Sequence, residues 1–353
     1  MCKLRKEAIK SNLKNKIWFR NQKDLKFKIL FNLFQKLQNP IIPKYSKFMN
    51  VLITGGSGLV GTRLTEILIA RGFTVSHLTR EVNDKTVGGK PIKKYLWDIK
   101  NGFIDKNALL EADYLVHLAG AGIADENWSD ERKKEIIESR TQSIQLVVNT
   151  LNNLSHRVIS FVSASGIGYY GADTGDEHIA EQHTAGNDFV ADCCFQWEAA
   201  ADEIQALGIK TIKLRTGIVL SEKGGALPRI IQPVRWGVGA ALGTGKQWQS
   251  WIHLDDLCEM YIKSLTDNQM LGVYNAVAPN PVTNNDLTKI AAQVLKRPFW
   301  MPNVPAFALK LVFGEMANVV LGGNYVLNQR IKQETDFEYK FVEVRKALED
   351  LLK

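Results

Sequence analysis

A glycine-rich turn between a short apolar strand and an amphipathic helix constrains the fold of this chain more than any other stretch. The segment reads NVLITGGSGLVG, and its residues 51–54 predict a buried strand. Gly55 permits the tight turn, Gly58 lets the backbone approach a pyrophosphate, and Gly61 lets the next helix pack on the sheet. The helix predicted at 59–71 would direct free N–H groups and its positive dipole end at phosphates, so the pattern indicates a dinucleotide site.

The elements after this turn continue an alternation of strands and helices. Apolar runs predict strands at 74–78, 113–118, 158–163 and 211–214, with a strand-like segment ending at Asp98. Amphipathic helices are predicted at 130–151, 188–207 and 283–295. A glycine pattern alone would be weak, but this order is typical of an α/β, Rossmann-type doubly wound parallel sheet.

The end of the second predicted strand bears on which dinucleotide would bind. Thr79 stands about twenty residues past the glycine turn, where an acidic residue would bind the ribose hydroxyls of NAD. Arg80 follows it, and an arginine there accommodates the 2′-phosphate of NADP. The pair favours NADP(H) over NAD. In the alternative interpretation Arg80 is a solvated loop charge and Glu81 takes the acidic role for NAD.

Small residues follow the strand predicted at 113–118, namely Ala119, Gly120 and Gly122. They would let a cofactor lie across the carboxyl end of that strand, where ligands of open α/β sheets bind. Arg140, on the helix predicted next, could reach a phosphate or ribose. A surface ion pair with Glu135 or Glu138 is its default alternative.

Charge is divided unevenly along the chain. The formal net charge of +8 comes from residues 1–48, where 13 Lys or Arg face only Glu7 and Asp24, so the remainder is slightly acidic. We therefore expect no nucleic-acid binding by the folded body. Residues 1–48 have three interpretations: a basic amphipathic helix for a membrane surface or targeting, a disordered extension, or sequence upstream of a true start at Met49.

Two further observations exclude other classes of protein. No run of about eighteen apolar residues occurs, so we expect no membrane-spanning helix. The four cysteines lack metal-ligand spacing and two of them are adjacent, which favours a reduced, cytoplasmic setting.

Longer phrases along residues 49–353 carry a resemblance to a known family. They are TGGSGLVG, HLAGAG, SASGIGYYG, NWSDERKKEIIESRTQS, WEAAADEIQALGI, LRTGIVLSEKGGAL, WIHLDD and VPAFALKLVFGEMANVVLGG. The chain resembles an atypical extended short-chain dehydrogenase/reductase of the NAD(P)-dependent epimerase/dehydratase kind, in the branch called epimerase family protein of the 39U subfamily. The resemblance implies a nucleotide-binding domain at 49–295 that includes substrate-lobe segments, and a C-terminal helical module at 296–353 that caps the substrate lobe.

The resemblance also implies which residues contact the nucleotide. They are Gly55, Gly58, Leu59, Val60, Gly61, Thr79, Arg80, Leu118, Ala119, Gly120, Glu135, Arg140 and Val219. His253, Asp255 and Asp256 resemble a metal cluster in composition only. Because this stretch packs the small lobe on the sheet in the family, we expect no metal there.

The catalytic pair usual in this superfamily is missing. In the YxxxK motif an ammonium lowers the pKa of a phenol, which then acts as a base beside the nicotinamide. The helix predicted at 188–207 contains neither Tyr nor Lys, and residues 158–209 hold nine carboxylates and no Lys or Arg. A negative field of this kind disfavours an ionised phenol, unless a cationic side chain from elsewhere contacts Tyr169.

The candidates that could replace the pair are few. Ser163 or Ser165 could hydrogen-bond a substrate, and Tyr169 could donate a proton, although packing at the turn is its alternative role. His178 and His183 are either general acids or solvent-exposed loop residues. Cys193 and Cys194 are interpreted as small buried apolar residues rather than nucleophiles, because no cation nearby in the sequence would stabilise a thiolate. Lys223, Lys246 and Trp248 could cover a substrate.

Two functional hypotheses follow from these residues. The first is an NADP-dependent oxidoreductase or epimerase that acts on a small polar substrate, such as a carbohydrate, with non-standard catalytic residues. The second is a protein that binds NADP without turnover, for instance a redox sensor. The sequence identifies neither the substrate nor the oligomeric state.

Overall fold

A computed structural model describes residues 49–81 and 86–353, so the interpretations of residues 1–48 lie outside the described residues. The centre of this part is an eight-stranded sheet in the order β8-β7-β6-β5-β1-β2-β3-β4. Its strands are β1 Asn50–Thr54, β2 Thr74–Thr79, β3 Lys93–Asp98, β4 Phe103–Ile104, β5 Tyr114–His117, β6 Ser160–Gly166, β7 Lys210–Thr216 and β8 Gly272–Ala276. All neighbours pair in parallel except the edge pair β3 and β4. The order runs outward from β1 in both directions, which confirms the doubly wound sheet.

Helices cover both faces of this sheet. All the α-helices of the described part, those of the C-terminal lobe included, are α1 Leu59–Ala70, α2 Lys106–Glu111, α3 Asp130–Asn152, α4 Phe189–Ala206, α5 Ala226–Arg235, α6 Leu254–Thr266, α7 Asn284–Val294, α8 Ala306–Phe313, α9 Ala317–Leu321, α10 Gln329–Glu334 and α11 Val344–Leu352. Val51 and Ile53 of β1 pack with α1 and α6, whereas Leu52 packs with α2, α3 and α4 on the other face. Burial on both faces explains why the strands read as continuous apolar runs.

A separate apolar core holds the C-terminal lobe together. Leu227 of α5, Leu287 of α7 and Leu348 of α11 belong to this core. Two short parallel strands, Ile218–Leu220 and Trp251–His253, lie beside it. Among the described residues, no helix has the length and apolar character that crossing a membrane requires.

Candidate functional site

The glycine turn adopts the compact geometry that its sequence predicts. Gly55 has a φ of +68°, a conformation that side chains rarely adopt. A Cβ atom on Gly61 would lie 2.5 Å from the carbonyl oxygen of Gly55, so α1 can start against the turn only because residue 61 is glycine. Gly58 is the N-cap of α1 and makes no side-chain capping bond, and the first turn of α1 has no acidic residue. These features fit a bound phosphate at the start of α1.

A buried histidine forms the floor of this turn, which sequence reasoning missed. A Cβ on Gly56 would lie 2.6 Å from the ring of His77, so the turn rests directly on that ring. His77 Nε2 lies 2.9 Å from the hydroxyl oxygen of Thr65, and burial lowers the pKa of His77 to about 4. The floor is therefore a neutral imidazole at physiological pH. In the sequence, the glycine at position 56 is the one sign that a bulky group lies directly under the turn.

The carboxyl end of β5 meets the same turn. The backbone N–H groups of Leu118 and Ala119 both donate to the Thr54 hydroxyl at 3.2 Å. A Cβ on Gly55 would lie 2.8 Å from the Leu118 carbonyl carbon. The structure thus brings the first predicted group of nucleotide contacts, at β1 and α1, together with the second at the end of β5.

The predicted specificity residues lie at the end of β2. The hydroxyl of Thr79 donates to the Glu81 backbone carbonyl at 2.9 Å. Arg80 is exposed, and within residues 49–81 and 86–353 it has no ion-pair partner. Its guanidinium is thus available to an anionic ligand.

Arg140 departs from its default interpretation. Glu135 pairs with Arg132 at 2.6 Å and Glu138 with Lys134 at 3.8 Å, so the expected surface pair of Arg140 with either glutamate is wrong. The guanidinium of Arg140 instead lies 4.8 Å from the ring centroid of Trp197 and donates to the Ile136 carbonyl at 2.8 Å.

Gly120 makes room for this arginine. A Cβ on Gly120 would lie 3.0 Å from the Arg140 guanidinium carbon. The absence of a side chain at position 120 therefore lets Arg140 reach the carboxyl end of β5, in addition to any role toward a cofactor.

The loop that carries Lys223 lies against the start of α1. A Cβ on Gly224 would lie 3.6 Å from Leu59 Cδ1, and one on Gly225 would lie 3.5 Å from the carbonyl oxygen of Val219. Lys223 is exposed and, in the described part of the chain, forms no ion pair. The sequence suggested that this lysine covers a substrate, but the structure places its loop beside the glycine turn.

The hydroxyl of Ser165 is already engaged in a hydrogen bond. Ser165 is buried and donates to Glu198 Oε1 at 2.7 Å. Glu198 in turn accepts two bonds from Arg215, at 2.7 and 2.8 Å. While this bond holds, Ser165 can accept a hydrogen bond from a substrate hydroxyl but cannot donate to a carbonyl. Ser163 is buried and bonds the Ala164 carbonyl at 2.9 Å.

A cation does lie beside Tyr169, contrary to the expectation of a purely acidic surrounding. The guanidinium of Arg215 stands 3.4 Å from the Tyr169 ring centroid and donates to the Tyr170 hydroxyl at 2.9 Å. The sheet register pairs Arg215 directly with Ser165, which explains how β7 brings it into the acidic segment. Burial raises the pKa of Tyr170 to about 12, and its hydroxyl donates to Asn275 Oδ1 at 2.7 Å. These features favour a structural role for Tyr170.

The remaining predicted candidates are held by neighbouring groups. Burial raises the pKa of the Cys193 thiol and raises that of Cys194 to about 12, although Arg140 opposes the shift in both. His178 is exposed and stacks on Tyr325, with ring centroids 4.1 Å apart. His183 accepts from the Ala180 N–H at 3.0 Å. These contacts favour structural roles for all four residues.

The His253-Leu254-Asp255-Asp256 stretch joins three parts of the fold. The Nδ1 atom of His253 accepts from the Asp255 N–H at 3.0 Å and so caps α6. Asp255 pairs with Arg63 of α1 at 2.7 Å, and Asp256 accepts from the N–H groups of residues 340 and 341, each at 2.9 Å. Each carboxylate is thus bonded to the protein, as expected for a stretch that packs the lobe on the sheet.

A cleft of about 450 Å³ lies where the amino end of α4 faces the C-terminal module. Its lining includes Trp128, Phe189, Thr244, Lys310 and Asn318. The rings of Trp128 and Phe189 meet edge to face with centroids 4.8 Å apart. Sequence reasoning expected a cap from this module but did not identify Trp128, Lys310 or Asn318.

Of the side chains expected to cover a substrate, Trp248 is held elsewhere. Its indole N–H donates to Asp176 at 2.8 Å. Lys246 is exposed, and the neighbouring Gly243 and Thr244 are the residues of that loop that line the cleft.

Comparison with known proteins supports the same assignment of fold. Residues 51–276 match the NAD dependent epimerase/dehydratase family, and residues 304–351 match a domain of unknown function, DUF1731. The epimerase family protein SDR39U1 homolog, chloroplastic, of Arabidopsis thaliana is 38% identical over 308 residues, which are 86% of this chain and 87% of that protein. Epimerase family protein SSP1921 of Staphylococcus saprophyticus is 33% identical over 85% of this chain and 98% of its own length.

A solved structure agrees with the architecture as well. The crystal structure of human epimerase family protein SDR39U1 (isoform 2) with NADPH superposes with a TM-score of 0.75 and 29% identity, over 86% of this chain and 99% of that chain. The two proteins therefore share the architecture of the doubly wound sheet. The chain belongs to the NAD dependent epimerase/dehydratase family, in the branch of the SDR39U1-type epimerase family proteins.

Proposed function

We propose that this protein is an NADP(H)-dependent oxidoreductase or epimerase that acts on a small polar substrate without a YxxxK pair. The observation that carries the choice of NADP(H) is the exposed Arg80 at the end of β2, which no carboxylate among the described residues neutralises. A 2′-phosphate supplies the charge that such an arginine binds, whereas NAD offers a hydroxyl. NADPH in the crystals of the human relative supports the same choice.

The residues around the turn fit the phosphates of a dinucleotide. Side chains at Gly55 or Gly61 would collide with the backbone of Leu118 or of the turn itself, so these glycines let the turn lie close to the start of α1. The bound cofactor would supply hydride chemistry, and the protein would bind and orient it. Ser165 would accept a hydrogen bond from a substrate hydroxyl, since its own proton is donated to Glu198. Tyr169, whose hydroxyl has no bonding partner among the described residues, would be the proton donor.

The cleft between α4 and the C-terminal module is the place we assign to the substrate. It adjoins Phe189 and Val190, in the region where the family places its catalytic pair. The aromatic edges of Trp128 and Phe189, with a hydroxyl, an amide and an ammonium group nearby, suit a polar ring such as a sugar. In this proposal residues 49–295 form the nucleotide-binding domain and residues 296–353 form the module that closes the substrate site.

The cofactor assignment is tested by an Arg80→Glu variant. We expect NADPH affinity to fall at least tenfold, on the order of a lost charge-assisted phosphate pair, while NADH affinity stays unchanged or rises. Dissociation constants from nucleotide fluorescence would measure this. Arg345→Glu, in the C-terminal α11, is the matched control and should change neither value. An Arg80→Glu protein that keeps its preference for NADPH would refute the 2′-phosphate assignment.

A non-catalytic NADP-binding protein, for instance a redox sensor, is the second candidate. The missing Tyr and Lys on α4 favour it, because the usual route to a phenolate base is absent. The two candidates differ in whether bound NADPH is oxidised. Absorbance of NADPH during a screen of sugars and carbonyl compounds detects an oxidoreductase, and analysis of the same sugars for an inverted stereocentre detects an epimerase, whereas a sensor changes neither. We propose the cytoplasm as the compartment, since the three cysteines of the described part are free thiols.

A further inference from the structure

Arg140 is a charged side chain without an ionic partner in a partly buried position. Among the described residues no carboxylate forms a salt bridge with it, and its one hydrogen-bond acceptor is the carbonyl of Ile136. The indole of Trp197 covers one face of the guanidinium. Burial lowers the pKa of Arg140, which reflects the cost of removing a charge from water. A position of this kind is favourable when a ligand supplies the missing partner.

The surroundings of this guanidinium place it at the catalytic end of the site. It lies against Gly120 at the carboxyl end of β5, and its charge acts on the thiols of Cys193 and Cys194. These cysteines occupy the first turns of α4, where the family places the lysine of YxxxK. A cation thus reaches this region from α3, while α4 itself provides none.

We infer that Arg140 takes the place of the missing lysine as the cation beside the nicotinamide end of the cofactor, and that it makes the protein bind NADPH more tightly than NADP+. The oxidised nicotinamide ring carries a positive charge and the reduced ring is neutral. A fixed, partly desolvated guanidinium nearby therefore penalises the oxidised form alone. This inference rests on the proposed function, because it requires that the site binds NADP(H).

The neighbouring groups leave that charge uncompensated. Burial lowers the pKa of His117 to about 3, so its imidazole, which Arg140 also influences, is neutral. Both thiols are neutral as well. Arg132 and Arg215 carry buried guanidinium charges in the same region, but each pairs with a carboxylate, Glu135 at 2.6 Å and Glu198 at 2.7 Å. Arg140 is therefore the side chain whose removal should change the preference for the reduced form.

The test compares dissociation constants of NADPH, by fluorescence, and of NADP+, by calorimetry. The variants are Arg140→Met and Arg140→Gln, which remove the charge, and Arg140→Lys, which keeps it. We expect the ratio of the NADP+ to the NADPH constant to fall about tenfold in both neutral variants and to stay near the wild-type value with lysine. Arg157→Met, beside Asp113 at the amino ends of β5 and β6, is the matched control and should leave the ratio unchanged.

Three outcomes would contradict the inference. If both neutral variants bind the two nucleotides with the wild-type ratio, the guanidinium does not face the ring. If both constants rise by the same factor, it contacts a ribose or phosphate that the two forms share. If the wild-type protein binds neither nucleotide, the proposed function fails and this inference fails with it. Should the Met variant not fold, the comparison of Gln with Lys decides, because both can keep the bond to the Ile136 carbonyl.

Discussion

The guanidinium of Arg215 stands 3.4 Å from the ring centroid of Tyr169, and the two hydrogen bonds that it donates to Glu198 hold it there. Both partners of this ion pair are nearly inaccessible to water, with side-chain exposures of 4% and 7%. Ser165, Tyr169 and Tyr170 all contact one or the other member. The ion pair is therefore the support on which the candidate catalytic residues rest.

Removing the carboxylate should destabilise the protein strongly. Glu198→Gln leaves the Arg215 charge buried without compensation, and we expect a loss of about 3–5 kcal/mol in the free energy of unfolding, measured in urea. Glu222→Gln breaks the exposed pair with Arg235 and should cost at most about 1 kcal/mol. If the two losses were equal, Glu198 would not be neutralising a buried charge.

Adding one methyl group at Gly61 should disturb the nucleotide site. The Cβ of Gly61→Ala would lie 2.5 Å from the Gly55 carbonyl oxygen and 2.6 Å from Gly56 Cα, so α1 must move away from the turn. We expect about 1–3 kcal/mol of destabilisation and weaker NADPH binding. Thermal unfolding and nucleotide fluorescence would measure both. Gly224→Ala places its Cβ at an ordinary 3.6 Å from Leu59, and equal damage there would argue against the steric explanation.

The buried histidines should make the protein less stable in acid. Burial lowers the pKa of His77 to about 4 and that of His117 to about 3, while both titrate near 6.5 when unfolded. Between these values the unfolded chain binds protons that the folded chain does not, so stability is complete above pH 6.5 and falls as the pH drops. We expect each histidine to contribute roughly 1.4 kcal/mol per pH unit between 6.5 and 4.5.

Replacing one of these histidines isolates its share of the pH dependence. Urea unfolding at pH 6.5, 5.5 and 4.5 should give a smaller slope for His77→Gln than for the wild type, even if that variant is less stable throughout. His178→Gln, which alters an exposed ring, should keep the wild-type slope. An unchanged slope in the first variant would mean that His77 binds its proton as readily in the folded chain as in the unfolded chain.

Lys223 should contribute to nucleotide binding. Its loop packs on Leu59 at the start of α1, and its ammonium has no ion-pair partner among the described residues. We expect Lys223→Glu to weaken NADPH binding about tenfold, and more at low salt, since the variant places a carboxylate near the phosphates. Lys289→Glu on α7 is the control for net charge. Similar losses in both variants would indicate a general charge effect.

The local sequence predicts the elements around the glycine turn well. Helix 59–71 and strand 51–54 correspond to Leu59–Ala70 and Asn50–Thr54, because apolar periodicity and glycine both act over a few residues. The helix predicted at 188–207 likewise starts at Phe189, with Asp188 as its cap. These elements needed no information from distant parts of the chain.

Contacts between distant segments could not be predicted in the same way. The negative field inferred for residues 158–209 counted charges along the chain, whereas Arg215 and Arg140 enter from β7 and α3. Strand alternation also turns Lys213 toward α4, where it pairs with Asp202 at 2.6 Å. The cleft depends on the docking of the C-terminal module, so Lys310 and Asn318 carried no signal that a local pattern could reveal.

Asp255 and Asp256 are adjacent in the chain, yet their carboxylates bond to two different parts of the fold. Asp255 holds α1 through Arg63, and Asp256 holds the segment that leads into α11. The first turn of α6 therefore anchors both α1 and the segment that leads into α11. A displacement of α1 would therefore be transmitted to the segment before α11 through the two carboxylates of a single helical turn.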